Sequence, residues 1–506
     1  MTRYRTLIKG TLVQQSPWTG GGTQGDPAAQ DATIARDGKG RLTMTGSSLA
    51  GALIATAGRV VPHSWDRDPH WRWISGKTSD GTCGGGSMRQ SVWRFHASHP
   101  DTAGLRLPET RDGVGIRQKT GATATEKNAK YDVEVLPKGA KWPVFLEIDT
   151  ELGGEKALAL ALKALDEWRH GRCWLGASAV RGLGQMKLEN ITVLHLPLEP
   201  DFINIWPDSS RGRDQIWKDL VDQGAIEQSF DQALSASSNT TISDLNEEPW
   251  QYMELSFRIV AGQQNDGYGW NSLSTGGSPW LVFDPPVDRL IVPPGIDKVA
   301  WEKLARSQDH PVLATSGNQN ASALPIVAGS SLRGTMRHTV SRLARQNGIH
   351  VDDPLDPGLD KKHKPAPSDA AASVFGWMDV DSSLLVSDAH PDQSASLKLA
   401  LLTMHAEDEF TAGAHASSLH NRTCVLNGSF DFTMILEARD ANSLKDILAN
   451  LMPGLKAAES GFVPIGGGVW RGHGWIPWKL NKVRKATAGA GAWREIPNAT
   501  LSTLTN

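Results

Sequence analysis

Apolar positions fall into two ordered series along the chain. After Gly46-Ser47-Ser48, Leu49, Leu53, Ala57 and Val60 recur at steps of four, four and three. After Gly329-Ser330-Ser331, Leu332, Met336, Val340 and Leu343 repeat those steps. Each stripe predicts a helix that buries one face, and the serines suit its N-cap. The two starts lie 329 − 46 = 283 positions apart. Strand-like Val135-Leu136 and Leu146-Glu147 have counterparts 290 positions on, at Val425-Leu426 and Leu436-Glu437. The same offset joins Arg181-Gly182-Leu183-Gly184 to Arg471-Gly472-His473-Gly474, and Thr120-Gly121-Ala122 is echoed by Thr411 through Ala414. Ordered matches at a nearly constant spacing point to a tandem duplication.

A Pro-free, Ala-rich run with Leu158, Leu160, Leu162 and Leu165 predicts a late helix in copy one; Ser443 to Leu451, capped by Asn442, takes that place in copy two. Each copy then runs strand, Gly-rich loop, capped helix, long irregular segment, strands, helix and Gly-rich turn. That is the βαββαβ order of an α+β sandwich. The expected layout is a first domain at 1–200, a polar linker at 201–247 with a short helix near Asp214 to Val221, a second domain at 248–485, and a flexible tail at 486–506. Residues 352–367, rich in Pro and charge, read as an exposed loop inserted in copy two.

Composition narrows the function classes. Of 506 residues, 39% are apolar and 21% charged, which excludes wholesale disorder, collagen and coiled coil. Net charge is −3, so any nucleic-acid site must be local. Cys83, Cys173 and Cys424 lack paired spacing, which argues against a disulfide framework and fits a reducing cytosol. Arg3, Arg5 and Lys9 break the apolar residues of the N-terminus, and no stretch of about 18 apolar residues occurs, so secretion and membrane spanning are not expected.

A helix opening on Gly-Ser-Ser offers unpaired N–H groups, hydroxyls and the positive end of its dipole, a combination that suits a phosphate. Copy two adds Arg333, Arg337 and His338 on its first turns, where copy one has Ala50 and Ile54 in place of the arginines. The glycines of the later turns permit close backbone approach to a ligand. Taken singly, these features describe a capped core helix and an ordinary turn equally well.

Paired in each copy, they resemble a known superfamily. Gly46 to Leu49, Gly329 to Gly334 and the turns at Arg181 to Gly184 and Gly466 to Gly474 look like RAMP domains, the RNA-binding modules of CRISPR effectors. Phe375-Gly376, Ser387-Asp388-Ala389 and Asp408 to Ala414 add to the likeness, which is closest to a fusion of two type III backbone subunits. The resemblance implies two tandem ferredoxin-like (RRM-like) domains with inserted loops and thumb-like hairpins around Arg111 to Ala122 and Asp408 to Ala414. It implies binding of a guide RNA and its complementary target RNA, in a ribonucleoprotein with other RAMP subunits and a large polymerase-like subunit. The implied RNA contacts are Gly46, Ser47, Ser48, Gly329, Ser330, Ser331, Arg333, Arg337, Arg181, Gly182, Gly184, Arg471, Gly472, Gly474, Thr120 and Thr411.

Target-cleaving members of the family place an Asp before the Gly-Ser-Ser helix in a pattern like Asp-x-x-Val/Ile-x-Arg/Lys. Asp31 to Arg36 fits it, and Asp284 to Arg289 fits it further from its helix, with Asp266 as a fallback. Asp31 is the implied catalytic residue and ligand of a divalent cation, with Mg2+ the leading candidate; Asp284 is the second. The plainer reading of Asp31 is a turn cap or a partner of Arg36. Two other functions compete: a non-catalytic RNA-binding scaffold, and an endoribonuclease that processes precursor RNA alone, although no family-type processing histidine is evident. Most tryptophans are expected to pack, with Trp470 and Trp475 open as base-stacking candidates. The spacing of His63, His70 and Cys83 fits no standard zinc finger.

Overall fold

Alternation along β1 (Arg3–Gln14) sends Ile8 and Leu12 to one face of a sheet and Leu7 to the other. In the computed structural model this strand is central. The structure describes residues 3–21, 32–61, 74, 90–101, 108–118, 124, 130–197, 213–242, 248–262, 283–284, 324–356, 363–366, 368–377, 380–392, 397–405, 410–411, 413, 420–469 and 472–505.

Copy one continues through α1 (Gly46–Val60), β2 (Trp93–Phe95), a hairpin of β3 (Glu109–Val114) and β4 (Lys130–Val135), β5 (Lys141–Asp149), α2 (Thr150–Arg169), β6 (Cys173–Trp174) and β7 (Gln185–Pro197). After it come α3 (Arg213–Asp222), β8 (Ile226–Ser229) and α4 (Phe230–Ala236). Copy two comprises β9 (Gln251–Ala261), β10 (Phe283–Asp284), β11 (Leu324–Pro325), α5 (Gly329–Gln346), α6 (Ala370–Phe375), β12 (Leu384–Val386), β13 (His390–Pro391), β14 (Lys398–Met404), β15 (His420–Ala438), α7 (Ala441–Glu459), β16 (Trp478–Thr487) and β17 (Arg494–Glu495).

The first sheet runs β2-β5-β1-β7-β6 and the second β12-β15-β9-β16-β17, with antiparallel pairing throughout. In both, the first and third strands of a βαββαβ unit lie side by side between the second and the fourth. Two ferredoxin-like domains therefore follow each other in the chain. The pair β3–β4 and the long pair β14–β15 are the thumb-like hairpins.

The helix stripes fill the cores. Leu49, Leu53 and Ala57 are fully buried beneath Leu158, Leu162 and Leu165 of α2, and Leu332, Met336 and Val340 are buried against α7. Leu343 is only half-buried, because the inward face of α5 passes instead to Ser341 and Ala344. Trp18, Trp93, Trp142, Trp168 and Trp478 are core residues, as expected for most tryptophans.

The stretch expected as a linker is partly structured. The short helix anticipated there is α3, whose Trp217 and Leu220 cover Leu7, Phe145, Leu194 and Leu196 on the face of the first sheet opposite α1 and α2. The strand β8 then extends the sheet through β7. The expected flexible tail is also held: β17 pairs with β16, and Leu501 is buried in the second core. Its Ala, Gly and Thr composition hides this, because the backbone pairing needs no apolar side chains. Asp440, not Asn442, caps α7, accepting from the Ser443 N–H at 2.8 Å.

The C-terminal segment also joins the two domains. Glu167 and Arg172, both fully buried, form a two-pronged ion pair at 2.6 and 2.7 Å. Glu167 accepts from the Gly489 N–H at 2.9 Å, and Arg172 donates to the Gly491 carbonyl at 2.5 Å. The Trp493 indole donates to the His170 carbonyl at 3.1 Å and lies against the guanidinium groups of Arg172 and Arg484. A second link pairs Arg59 with Glu437 at 3.0 Å, where burial pushes the Glu437 carboxyl above its usual range.

Candidate functional site

The two Gly-Ser-Ser starts have a shared local cause. Each glycine is the first residue of its helix and passes directly over the end of an edge strand: a Cβ on Gly46 would lie 2.1 Å from the Phe95 carbonyl oxygen, and one on Gly329 would lie 2.4 Å from that of Val386. Only glycine fits there without moving backbone. The caps lie two residues before the first serine of each pair, not at the serines. Thr45 caps α1 through its side chain, accepting from the Ser48 N–H at 3.2 Å, and Ala328 begins α5 without a side-chain cap. The serines are therefore released from capping. Ser47, Ser48 and Ser330 are exposed, whereas Ser331 is half-buried.

The two helix starts differ in what they face. The start of α1 opens into a cleft of about 480 Å3, walled by Thr45, Ser48 and Gly51 on one side and by Trp174, Gly176 and Ala177 of the Gly-rich turn on the other. Trp18 forms part of the wall, and its indole N–H is buried with no acceptor among the described residues. Gly176 has φ +86°, and a Cβ there would meet the Thr19 carbonyl at 2.0 Å, so the turn can lie this close only with glycine. At the start of α5, by contrast, the buried Asp388 carboxylate accepts from the Gly329 N–H at 2.8 Å and pairs with Arg111 of β3 at 2.8 Å. The place suited to a phosphate in copy two is thus filled by a carboxylate of the protein itself.

The arginines of copy two are not laid out as an open phosphate grip. Arg333 donates to the Phe375 carbonyl at 2.5 Å and to the Ser382 hydroxyl at 3.1 Å, with its guanidinium over the Phe375 ring. Burial, then the charges of Arg337 and Arg181, bring its pKa down to about 10. Arg337 is largely buried too; its Nε and Nη2 find no acceptor among the described residues, and burial lowers its basicity. Arg181 donates to the Tyr131 hydroxyl at 2.5 Å and stacks on its ring. Sequence spacing put Arg333 and Arg337 on one exposed helix face; the neighbouring turn and α6 cover them, while Arg181 itself stays exposed on that turn.

Gly182 serves the same enclosure rather than a ligand. With φ +92°, its Cβ position lies 2.6 Å from the Val386 carbonyl and 3.1 Å from the Asp388 nitrogen, so the turn of copy one packs on the β12 edge of copy two. Gly182→Ala should destabilise the chain by about 1–3 kcal/mol. Urea unfolding checks this, and an unchanged midpoint would refute the packing role. A Cβ on Gly184 would likewise lie 2.0 Å from the Leu175 carbonyl, and one on Gly474 2.0 Å from that of Ile465, each glycine closing its own turn. Gly472 keeps a positive φ of 83°.

Asp31, Thr120, Arg471, Asp266, Trp470, His63, His70 and Cys83 lie outside the described residues. Gly20 and Gly21, before the stretch that carries Asp31, line the cleft, as does Ala35 after it, while Ala32 bridges to Val133 of β4. Arg36 is engaged by Glu134, at 2.5 and 3.0 Å. Asp284 occupies a different register from Asp31. Phe283 opposes Pro325 and Arg36 opposes Leu42, each partner two residues before the next bridge, from Val327 to Ala389 and from Met44 to Ser98. Asp284 therefore corresponds to Asp37, and its sequence match to Asp31 is not a structural one. Thr411 is exposed near the end of the second thumb-like hairpin, and the Trp475 indole donates to the Val469 carbonyl at 3.2 Å. Among the described residues no three His, Cys, Asp or Glu side chains gather as a metal site, and no helix is long and apolar enough to cross a membrane.

A family model described as RAMP superfamily matches residues 12–187 and 311–476, more than half of the chain. No curated protein matches it.

Proposed function

The chain belongs to the RAMP superfamily, and from that membership we propose that it is a double backbone subunit of a type III CRISPR ribonucleoprotein, holding guide RNA and cutting the complementary target. The observation that carries the reading is the open cleft at the start of α1. It offers the positive end of a helix and the exposed hydroxyls of Thr45, Ser47 and Ser48, which bond to one another and can turn outward, a set that suits a phosphodiester. The docking of copy one's Gly-rich turn onto the β12 edge of copy two is the head-to-tail contact a backbone would repeat, made here within one chain.

Asp31 carries the cut in this reading. Gly21 before it and Ala35 after it line the cleft, and in this reading its carboxylate takes the proton of a 2′-hydroxyl in a nucleotide turned out of the duplex, while the cleft fixes the phosphate. Asp284 is not assigned an equivalent part, because its register differs. The partners proposed are guide RNA, target RNA, other RAMP subunits and a large polymerase-like subunit.

Copurification of the tagged full chain with its neighbours, sequencing of the bound RNA and cleavage of a matching target test the reading together. Bound guides of uniform origin and regularly placed cuts are expected. Recovery without RNA would overturn it, and guides bound without any cut would leave the scaffold function alone standing.

A further inference from the structure

We infer that α3 is a guard against self-stacking: it fills the face of the first sheet that would otherwise take up the copy-two end of a second copy of this chain. This goes beyond the RNA reading above and uses none of the residues of the α1 cleft.

Each sheet has one face on its own helices and one turned away from them. On the second sheet that outer face receives copy one. Tyr252 of β9 and Ala486 of β16 are buried in the first core, Glu437 of β15 pairs with Arg59, and Leu385 and Ile435 line a narrow gap with Trp174 and Gln185. On the first sheet the outer face carries Leu7, Phe145, Leu194 and Leu196, and α3 lies on it through Trp217 and Leu220. Lys9 Nζ stands 4.5 Å from the centre of the Trp217 ring, and the Trp217 indole donates to Glu227 of β8 at 2.8 Å, so the helix is seated from two sides.

The two outer faces match in position but not in chemistry. Leu7 opposes Leu194 in the first sheet, and Glu254 opposes Arg484 in the second. Each pair lies two residues ahead of the same irregularity in pairing, which follows Lys9 in β1 and Ser256 in β9. Glu254 and Arg484 form a two-pronged ion pair at 2.8 and 2.7 Å. The second face is therefore charged where the first is aliphatic.

The ends that meet such faces differ in the same sense. Copy one presents Glu167 and Arg172, with the Arg172 guanidinium 5.8 Å from the centre of the Tyr252 ring. In copy two, Ala457 and Phe462 hold those positions. The Phe462 N–H donates to the Ala457 carbonyl at 2.8 Å, as the Arg172 N–H does to that of Glu167 at 3.0 Å. The glycine before each has a positive φ, 78° at Gly461 and 76° at Gly171. Phe462 is 45% exposed. A charged end thus meets a charged face inside the chain, and the exposed apolar end matches the aliphatic face of the first sheet. A contact between those two would be heterologous, the kind that propagates into open rows. With α3 seated, one chain cannot add to the next, and copy one closes its end of the row.

Sedimentation velocity of the purified full chain over a range of concentrations tests this. The wild type should sediment as a single chain. Trp217→Asp with Leu220→Asp, which unseats α3, should give a weight-average mass that rises with concentration above that of one chain, and adding Phe462→Glu should return it to one. Trp217→Ala, a milder opening, should shift the mass the same way to a smaller extent, and takes the place of the double change if that one does not fold. An opened chain that stays single, or one that associates equally well with Phe462→Glu, would overturn the inference, as would a wild type that already stacks through Phe462. RNA enters none of these outcomes, so the RNA-binding reading is tested separately.

Discussion

Glu167→Gln should lower the unfolding free energy of the chain by about 3–5 kcal/mol, the usual cost of leaving one member of a buried ion pair behind. The Arg172 guanidinium would remain fully buried with its charge unmatched, and its Nη1 already finds no acceptor among the described residues. The loss would not stay local. Glu167 also accepts from Gly489, and Arg172 holds the Gly491 carbonyl and the Trp493 ring, so the same change should release the C-terminal segment from the first domain. Urea unfolding measures the first effect, and limited proteolysis around residues 487–505 the second. A joint change, Glu167→Leu with Arg172→Met, should recover part of the stability because no isolated charge remains. A single variant within about 0.5 kcal/mol of wild type, the range of an inert surface change, would show that the pair does not lock the domains.

Asp31→Ala should slow one of the target cuts about 10²–10⁴-fold while guide binding and assembly persist, since the carboxylate is assigned to proton transfer and not to holding the guide. Asp284→Ala should leave all cuts at their original rate, because β10 sets Asp284 at the register of Asp37. Gel analysis of a uniformly labelled target, cut by the assembled complex, separates the two. Every cut persisting at full rate in Asp31→Ala would end the catalytic assignment.

The duplication was legible because its most constrained residues are glycines. Gly46 and Gly329 face backbone carbonyls at distances no side chain tolerates, and the stripes behind them had to face a core. What the sequence concealed depends on contacts between copies. Nothing in Arg333 or Arg337 says that α6 of their own copy and the turn carrying Arg181 from the other will close over them. Asp388 stood within a family-like segment, yet its place at the start of α5 follows only from how β12 ends beside that helix. The 352–367 insertion looked like solvated loop because Pro and charge dominate it; burial of Asp352 between two histidines is a product of tertiary packing. The trailing segment looked loose for the same reason, since Trp493 and Leu501 find their partners far away in the sequence.

The most direct test places a negative charge in the α1 cleft without disturbing the fold. Gly51 lines the cleft on α1, and a Cβ there meets nothing within 4 Å, so Gly51→Glu should fold as well as wild type. Binding of single-stranded RNA, measured across a range of salt concentrations, should weaken in this variant. The loss should be largest at low salt, where repulsion between the added carboxylate and a phosphate in the cleft is least screened, so the slope of log affinity against log salt should become shallower. An affinity and slope matching wild type would contradict the account, because RNA would then be held somewhere other than the first helix start.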